Sequence, residues 1–141
     1  MKNKGIKLYD KAKKIIPGGT MLYSKKPELY LPEKWPTYFS KSKGCYIWDI
    51  EGNKYLDMLF AVGTNTLGYA NNKIDNEVVK YIKKGNMTSL NSPEEVELAE
   101  LLLKLHPWSD QVKFTRGGGE ANAAIIRIAR ASTKKQNIAF C

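Results

Sequence analysis

The stretch Val112-Lys113-Phe114-Thr115-Arg116-Gly117-Gly118-Gly119-Glu120, followed by Ala121-Asn122-Ala123-Ala124-Ile125-Ile126-Arg127-Ile128-Ala129-Arg130, decides the fold. The apolar run ahead of the glycines predicts a buried strand over 111–115. Residues 120–132 predict a helix, because Ala121, Ala124, Ile125, Ile128 and Ala129 recur at the i, i+3, i+4 spacing of one buried face. Three glycines between them let backbone N–H groups approach a ligand without a Cβ in the way. A strand, a glycine turn and a helix N-terminus make an anion site, since unpaired amides and the positive end of the helix dipole point at one spot. A tight strand-to-helix connection with no ligand would carry the same letters. Physical chemistry alone leaves both readings open.

Working outward, Asn137-Ile138-Ala139-Phe140-Cys141 reads as a second strand, which completes a βαβ unit with a parallel, right-handed crossover. Upstream, Ser92 predicts an N-cap, Pro93 the first helical position and Glu95 the partner of a capping box. Val96, Leu98, Leu101, Leu102 and Leu105 then mark the buried face, and Pro107 ends the helix. Residues 74–84 predict a helix with Val78, Val79 and Ile82 inward, stopped by Gly85-Asn86. Cys45–Ile50 and Lys54–Leu59 flank Glu51-Gly52-Asn53 as a hairpin inside an antiparallel unit over 38–60. Residues 63–72 read as loop and 20–36, with three prolines, as an irregular excursion. Ile6–Ile16 has helical spacing and stops at Pro17-Gly18-Gly19.

Phe114-Thr115-Arg116-Gly117-Gly118-Gly119-Glu120-Ala121-Asn122 resembles the phosphate-binding segment of class III aminotransferases, most closely the glutamate-1-semialdehyde aminomutase-like branch. The family usually writes Asn-Ser-Gly-Thr-Glu-Ala-Asn there, so Arg116 to Gly119 stand where Asn, Ser, Gly and Thr would be. The resemblance extends over Ile16-Pro17-Gly18-Gly19, the segment 43–53, Tyr55-Leu56-Asp57, Leu67-Gly68-Tyr69 and 94–100. It implies an α/β fold: the N-terminal part of a fold-type I pyridoxal-phosphate transferase. Residues 1–69 would be a small α+β segment with the hairpin, and 70–141 the start of the large parallel-sheet domain.

The resemblance further implies pyridoxal 5′-phosphate as cofactor, held through the amides of Gly117, Gly118 and Gly119. The Schiff-base lysine, the acid at the pyridine nitrogen and the stacking aromatic lie beyond Cys141 in the family, so no residue here is assigned as catalytic. Lys25 falls at the position of an arginine that pairs with the substrate carboxylate in the aminomutases, and a lysine lacks the planar fork. Ala61-Val62 replaces their Ser-Trp pair and Tyr69 their histidine, which leaves aminotransferase and aminomutase activity on a small amino or keto compound both open. Arg116 would neutralise phosphate or turn away into an ion pair. A homodimer is implied for the intact enzyme. A chain of 141 residues ending on an apolar run reads as a fragment carrying the phosphate loop, itself inactive; a short natural domain is the alternative. A non-catalytic remnant acting as an interaction module is the other functional reading.

Net charge is +9, from 23 Lys+Arg against 14 Asp+Glu. The excess is scattered lysine with Arg116, Arg127 and Arg130 as the arginines, and no zinc-finger or RNA-recognition spacing accompanies it, so solvated faces are expected rather than a nucleic-acid surface. No apolar stretch reaches membrane-spanning length. Cys45 and Cys141, with no secretory h-region, point to a cytoplasmic setting, Cys45 as a small core residue. One histidine, His106, reads as a helix cap or surface group, and no metal set can be assembled around it.

Overall fold

A computed structural model describes residues 3–139. Contacts divide the chain into two compact units, Met1–Asn86 and Met87–Cys141.

The first unit opens with helix α1 (Lys4–Ile15), which buries Gly5, Tyr9 and Ala12 along one side. Its N-terminus is capped from a distance: the Gly5 N–H donates to Glu51 Oε1 at 2.8 Å, placing a carboxylate at the positive end of the dipole. Pro17-Gly18-Gly19 ends the helix, with both glycines left-handed at φ +76°. A Cβ on Gly19 would lie 2.8 Å from Tyr9 Cε2 and 2.9 Å from Lys13 Cγ, so the chain can double back over the buried side of α1 only as glycine. The irregular excursion holds two short 3-10 turns, Tyr23–Lys25 and Pro27–Leu29. Tyr9 donates its hydroxyl proton to Glu28 Oε2 at 2.9 Å, and Tyr30 stacks on Trp35 with centroids 4.3 Å apart.

The hairpin forms where the sequence places it. Strands β1 (Phe39–Lys43), β2 (Tyr46–Asp49) and β3 (Lys54–Leu56) pair antiparallel in chain order. Asp49 holds the turn. Buried at 5% exposure, its Oδ1 accepts the N–H groups of Glu51 and Asn53, and its Oδ2 accepts Asn53 Nδ2 and the Tyr55 hydroxyl, all at 2.8–3.0 Å. Burial alone would raise this carboxyl's pKa; the four donors outweigh it and hold the group below the usual carboxylate range. Cys45 is half-buried beside this sheet.

Helix α2 (Asn72–Lys84) starts under an Asn71 cap, its side chain accepting the Lys73 N–H at 3.0 Å, and ends at Gly85 with φ +89°. Lys43 on β1 ties down the approach, donating to Ala70 O and Asn72 Oδ1. The expectation that Val78, Val79 and Ile82 point inward is corrected: all three are exposed. Periodicity identifies a face able to pack, and no described residue covers it.

In the second unit, α3 (Pro93–Leu105) begins at Ser92 with Pro93 in the first turn. The predicted capping box is not formed. The Ser92 hydroxyl donates to Glu94 instead, and the Glu95 N–H bonds the Ser92 carbonyl at 3.2 Å. Val96, Leu98, Leu101 and Leu105 are exposed rather than buried, and Leu102 is half-buried. His106 ends the helix, its N–H bonding Leu102 O and its ring edge-on to Trp108. Helix α4 (Gly118–Thr133) covers the predicted 120–132 and begins earlier. Ala121, Ala124 and Ala129 are half-buried on it, whereas Ile125 and Ile128 are exposed.

The predicted strands around α4 are corrected too. Neither 111–115 nor 137–139 pairs as a strand, and Phe140 and Cys141 lie outside the described residues. A strand exists by its ladder of hydrogen bonds, and no described segment lies alongside to supply one.

Candidate functional site

The glycine turn is the start of α4. Gly117 is the N-cap in extended conformation (φ −169°, ψ 163°), and Gly118 and Gly119 are the first two helical residues. The Ala121 N–H closes the first turn on Gly117 O at 3.1 Å. That leaves the N–H groups of Gly118, Gly119 and Glu120 at the end of the helix, where no intrahelical acceptor can reach them. Among the described residues they meet no other acceptor.

None of the three glycines has a positive φ, and a Cβ on any of them would meet nothing within 4 Å. The chain's own backbone and packing therefore do not require glycine here. Glycine in a helical turn costs roughly 0.8–1 kcal/mol relative to alanine. What these residues gain is open approach to three free donors.

Glu120 is the neighbour that sequence reading passed over. Its carboxylate reaches back to the Arg116 N–H at 3.0 Å, satisfying the amide just ahead of the N-cap. The signal was present in part: a Glu at the third helical position reaches back to the N-cap amide in a capping box, and here it reaches one residue further, to Arg116. Thr115 donates its hydroxyl to Gly117 O at 3.3 Å, so the turn is held from both sides. Arg116 itself is exposed at the edge of the turn.

Lys25 lies in the first unit, exposed, at the end of the Tyr23–Lys25 turn, while the three glycines lie in the second. Tyr69 is also in the first unit. Its hydroxyl donates to Asp57 Oδ2, and burial, with this bond second, pushes its pKa up to about 12. It is a fixed neutral donor. No His/Cys/Asp/Glu group able to hold a metal occurs among the described residues, and no helix there is long and apolar enough to cross a membrane.

A family model described as aminotransferase class-III matches residues 31–141. The chain belongs to the class-III aminotransferases. Among its relatives in this family, glutamate-1-semialdehyde 2,1-aminomutase of Wigglesworthia glossinidia brevipalpis is 38% identical over 132 residues, which is 94% of this chain and 30% of that protein. The solved structure of the PLP internal aldimine form of the FumI protein from Sphingopyxis sp. MTA144 superposes with a TM-score of 0.83 at 29% identity, over 93% of this chain and 31% of that one. An omega-transaminase from Sphaerobacter thermophilus gives a TM-score of 0.82 at 28% identity, over 96% and 30%. This class-III chain thus spans about 30% of the length of the curated relative it matches. Its mixed helix-and-sheet fold is that of the class-III structures, as the resemblance implied.

Proposed function

We propose that the protein carries out pyridoxal-phosphate-dependent amino-group transfer, with the N-terminus of α4 as the cradle for the 5′-phosphate. The observation that carries this reading is the pairing of free amides at 118–120 with glycines that nothing inside the chain demands. A phosphate dianion fits such a site, because it accepts several backbone donors at once and lies at the positive end of the helix. When bound, the cofactor supplies an electron sink at the amino-bearing carbon of the substrate.

The residues of this chain bind and orient. Gly117, Gly118 and Gly119 leave room for the phosphate, and the amides from Gly118 onward donate to it. Glu120 keeps the Arg116 amide out of competition, which fixes the direction of the turn. The residues named here supply the cradle, and the resemblance assigns the cofactor's covalent anchor and ring partners to other segments of the family. Lys25 is proposed as the cation that pairs with a substrate carboxylate, as a point charge rather than a planar fork. Tyr69, locked on Asp57, offers no histidine-like chemistry where the aminomutases have histidine, which favours an aminotransferase on a small amino or keto compound over aminomutase specificity. A cytoplasmic setting is proposed on the cysteine usage, and a homodimer on the same resemblance. So is a domain boundary near residue 69, although contacts group α2 with the first unit through Lys43. The interaction-module reading has no comparable observation behind it.

Titrating the protein with pyridoxal phosphate and with pyridoxal tests this. The proposal expects the phosphate form to bind far more tightly and inorganic phosphate to compete with it. Equal binding of the two would remove the phosphate cradle from the account.

A further inference from the structure

The segment between Asp57 and Tyr69 carries the most unusual backbone among the described residues. Phe60, Ala61, Val62 and Gly63 follow one another in the left-handed region, with φ of +44°, +48°, +58° and +84°. L-residues enter that region singly, and a β-branched residue such as Val62 there is an outlier. Packing holds it only in part: Phe60 and Ala61 are half-buried, whereas Val62 is 81% exposed and Met58 and Leu67 are exposed beside it.

What holds it is the neck. Asp57 is fixed to the sheet through its N–H on Cys45 O at 2.9 Å, and Tyr69 through a two-way bridge with Gly44 at 2.8 and 2.9 Å. The ends of the loop are therefore clamped on adjacent residues, the arrangement of an Ω-loop. Gly68 lies against the Gly44 backbone and takes φ +87°, a conformation that L side chains rarely adopt. Across the neck the Tyr69 hydroxyl donates to Asp57 Oδ2, while Asp57 Oδ1 accepts the N–H groups of Leu59 and Phe60 at 2.8 and 3.3 Å. One carboxylate thus closes the neck and sets the entry into the left-handed turn.

We infer that residues 58–68 form a latched strap: a strained left-handed turn kept in place by the Asp57–Tyr69 pair, which relaxes as a unit when that pair opens. The strain sits in 60–62 and the restraint sits at 57 and 69. Breaking the restraint releases the turn and leaves the sheet anchors intact. Strained, loosely packed and locally latched segments of this kind are the ones that serve as switches and clamps.

Hydrogen exchange of the full chain, read on a peptide covering 58–68 with one from α1 as reference, tests the inference. The amides of Val62, Gly63 and Asn65, bonded at 2.9, 3.0 and 3.3 Å to Leu59 O and Phe60 O, report the turn. Tyr69→Phe should speed their exchange about tenfold or more, the loss of one bond to a charged acceptor, with α1 unchanged. Val62→Gly should slow it roughly three- to tenfold by removing the left-handed penalty, less what glycine adds to the open state. Unchanged exchange in Tyr69→Phe would overturn the latch. If that variant exposes α1 as well, Val62→Gly decides alone: slower exchange upholds the strained strap, and equal or faster exchange overturns it.

Discussion

Replacing Asp49 by Asn isolates what holds the first unit's hairpin. The side chains are isosteric, so packing is unchanged and only the donor–acceptor pattern differs. The amide oxygen of the variant can still accept the N–H groups of Glu51 and Asn53, now as a neutral group. Its NH2 takes the place of Oδ2, facing Tyr55 Oη and Asn53 Nδ2, both at 2.9 Å in the native protein. The tyrosine hydroxyl can rotate to accept, whereas two amide NH2 groups cannot bond each other. One bond is lost and three fall from charged to neutral strength, a cost of about 2–3 kcal/mol at a buried site. Urea unfolding followed by tryptophan fluorescence measures it, with Trp48 adjacent to the substitution. The folded pKa of Asp49 lies below its unfolded value. Its contribution is therefore complete above the ordinary aspartate value of about 3.9 and fades as pH falls through the folded value. The gap between native and Asp49→Asn proteins should be constant at neutral pH and close in acid. A gap under about 0.5 kcal/mol at pH 7, the level of a neutral surface change, would refute the reasoning.

Gly19→Ala should cost about 2–4 kcal/mol, combining a left-handed alanine with a Cβ driven against Tyr9 and Lys13, and thermal melts will show it; an unchanged melt contradicts the close approach. Borohydride reduction of the chain with pyridoxal phosphate should give weak, scattered lysine labelling, and stoichiometric labelling of one lysine among residues 1–141 on peptide mapping would contradict the reading that none of these lysines is the covalent anchor. The exposed apolar faces of α2 and α3 should drive self-association of the isolated chain, and light scattering from a dispersed monomer with a cooperative melt would count against that.

Most local signals in this chain read correctly, the Ser92–Glu95 capping box excepted, and the long-range ones did not. Gly18-Gly19, Gly52 and Gly85 announce their turns because positive φ is a property of one residue, and α1, the hairpin and α2 follow between them. The Asp49 cluster was not foreseen, since nothing in Asp49-Ile50-Glu51-Gly52-Asn53 says which oxygen will be buried. Strands 111–115 and 137–140 were read from apolar runs, but strand identity belongs to a pair of segments, and no described segment lies beside 111–115 or 137–139. The inward faces of α2 and α3 failed for a related reason: periodicity names a face and cannot supply its cover. At the candidate site the helix N-terminus was legible from the glycines. The capping role of Glu120 was missed, and the openness around all three glycines appears only in three dimensions.

The central claim is that free amides of the glycine turn hold the cofactor's phosphate, and titrating pyridoxal phosphate into the full-length protein and its Gly118→Val and Gly119→Thr variants tests it most directly. Outside the helix's own backbone, no described residue comes within 4 Å of a Cβ at either position. Gly119→Thr restores the family's usual residue and should retain the cofactor. Gly118→Val should block close approach and remove about two hydrogen bonds of roughly 1.5–3 kcal/mol each, weakening binding by about two to four orders of magnitude. Equal affinity in Gly118→Val and the native protein would contradict the account and leave the turn a plain connection into α4.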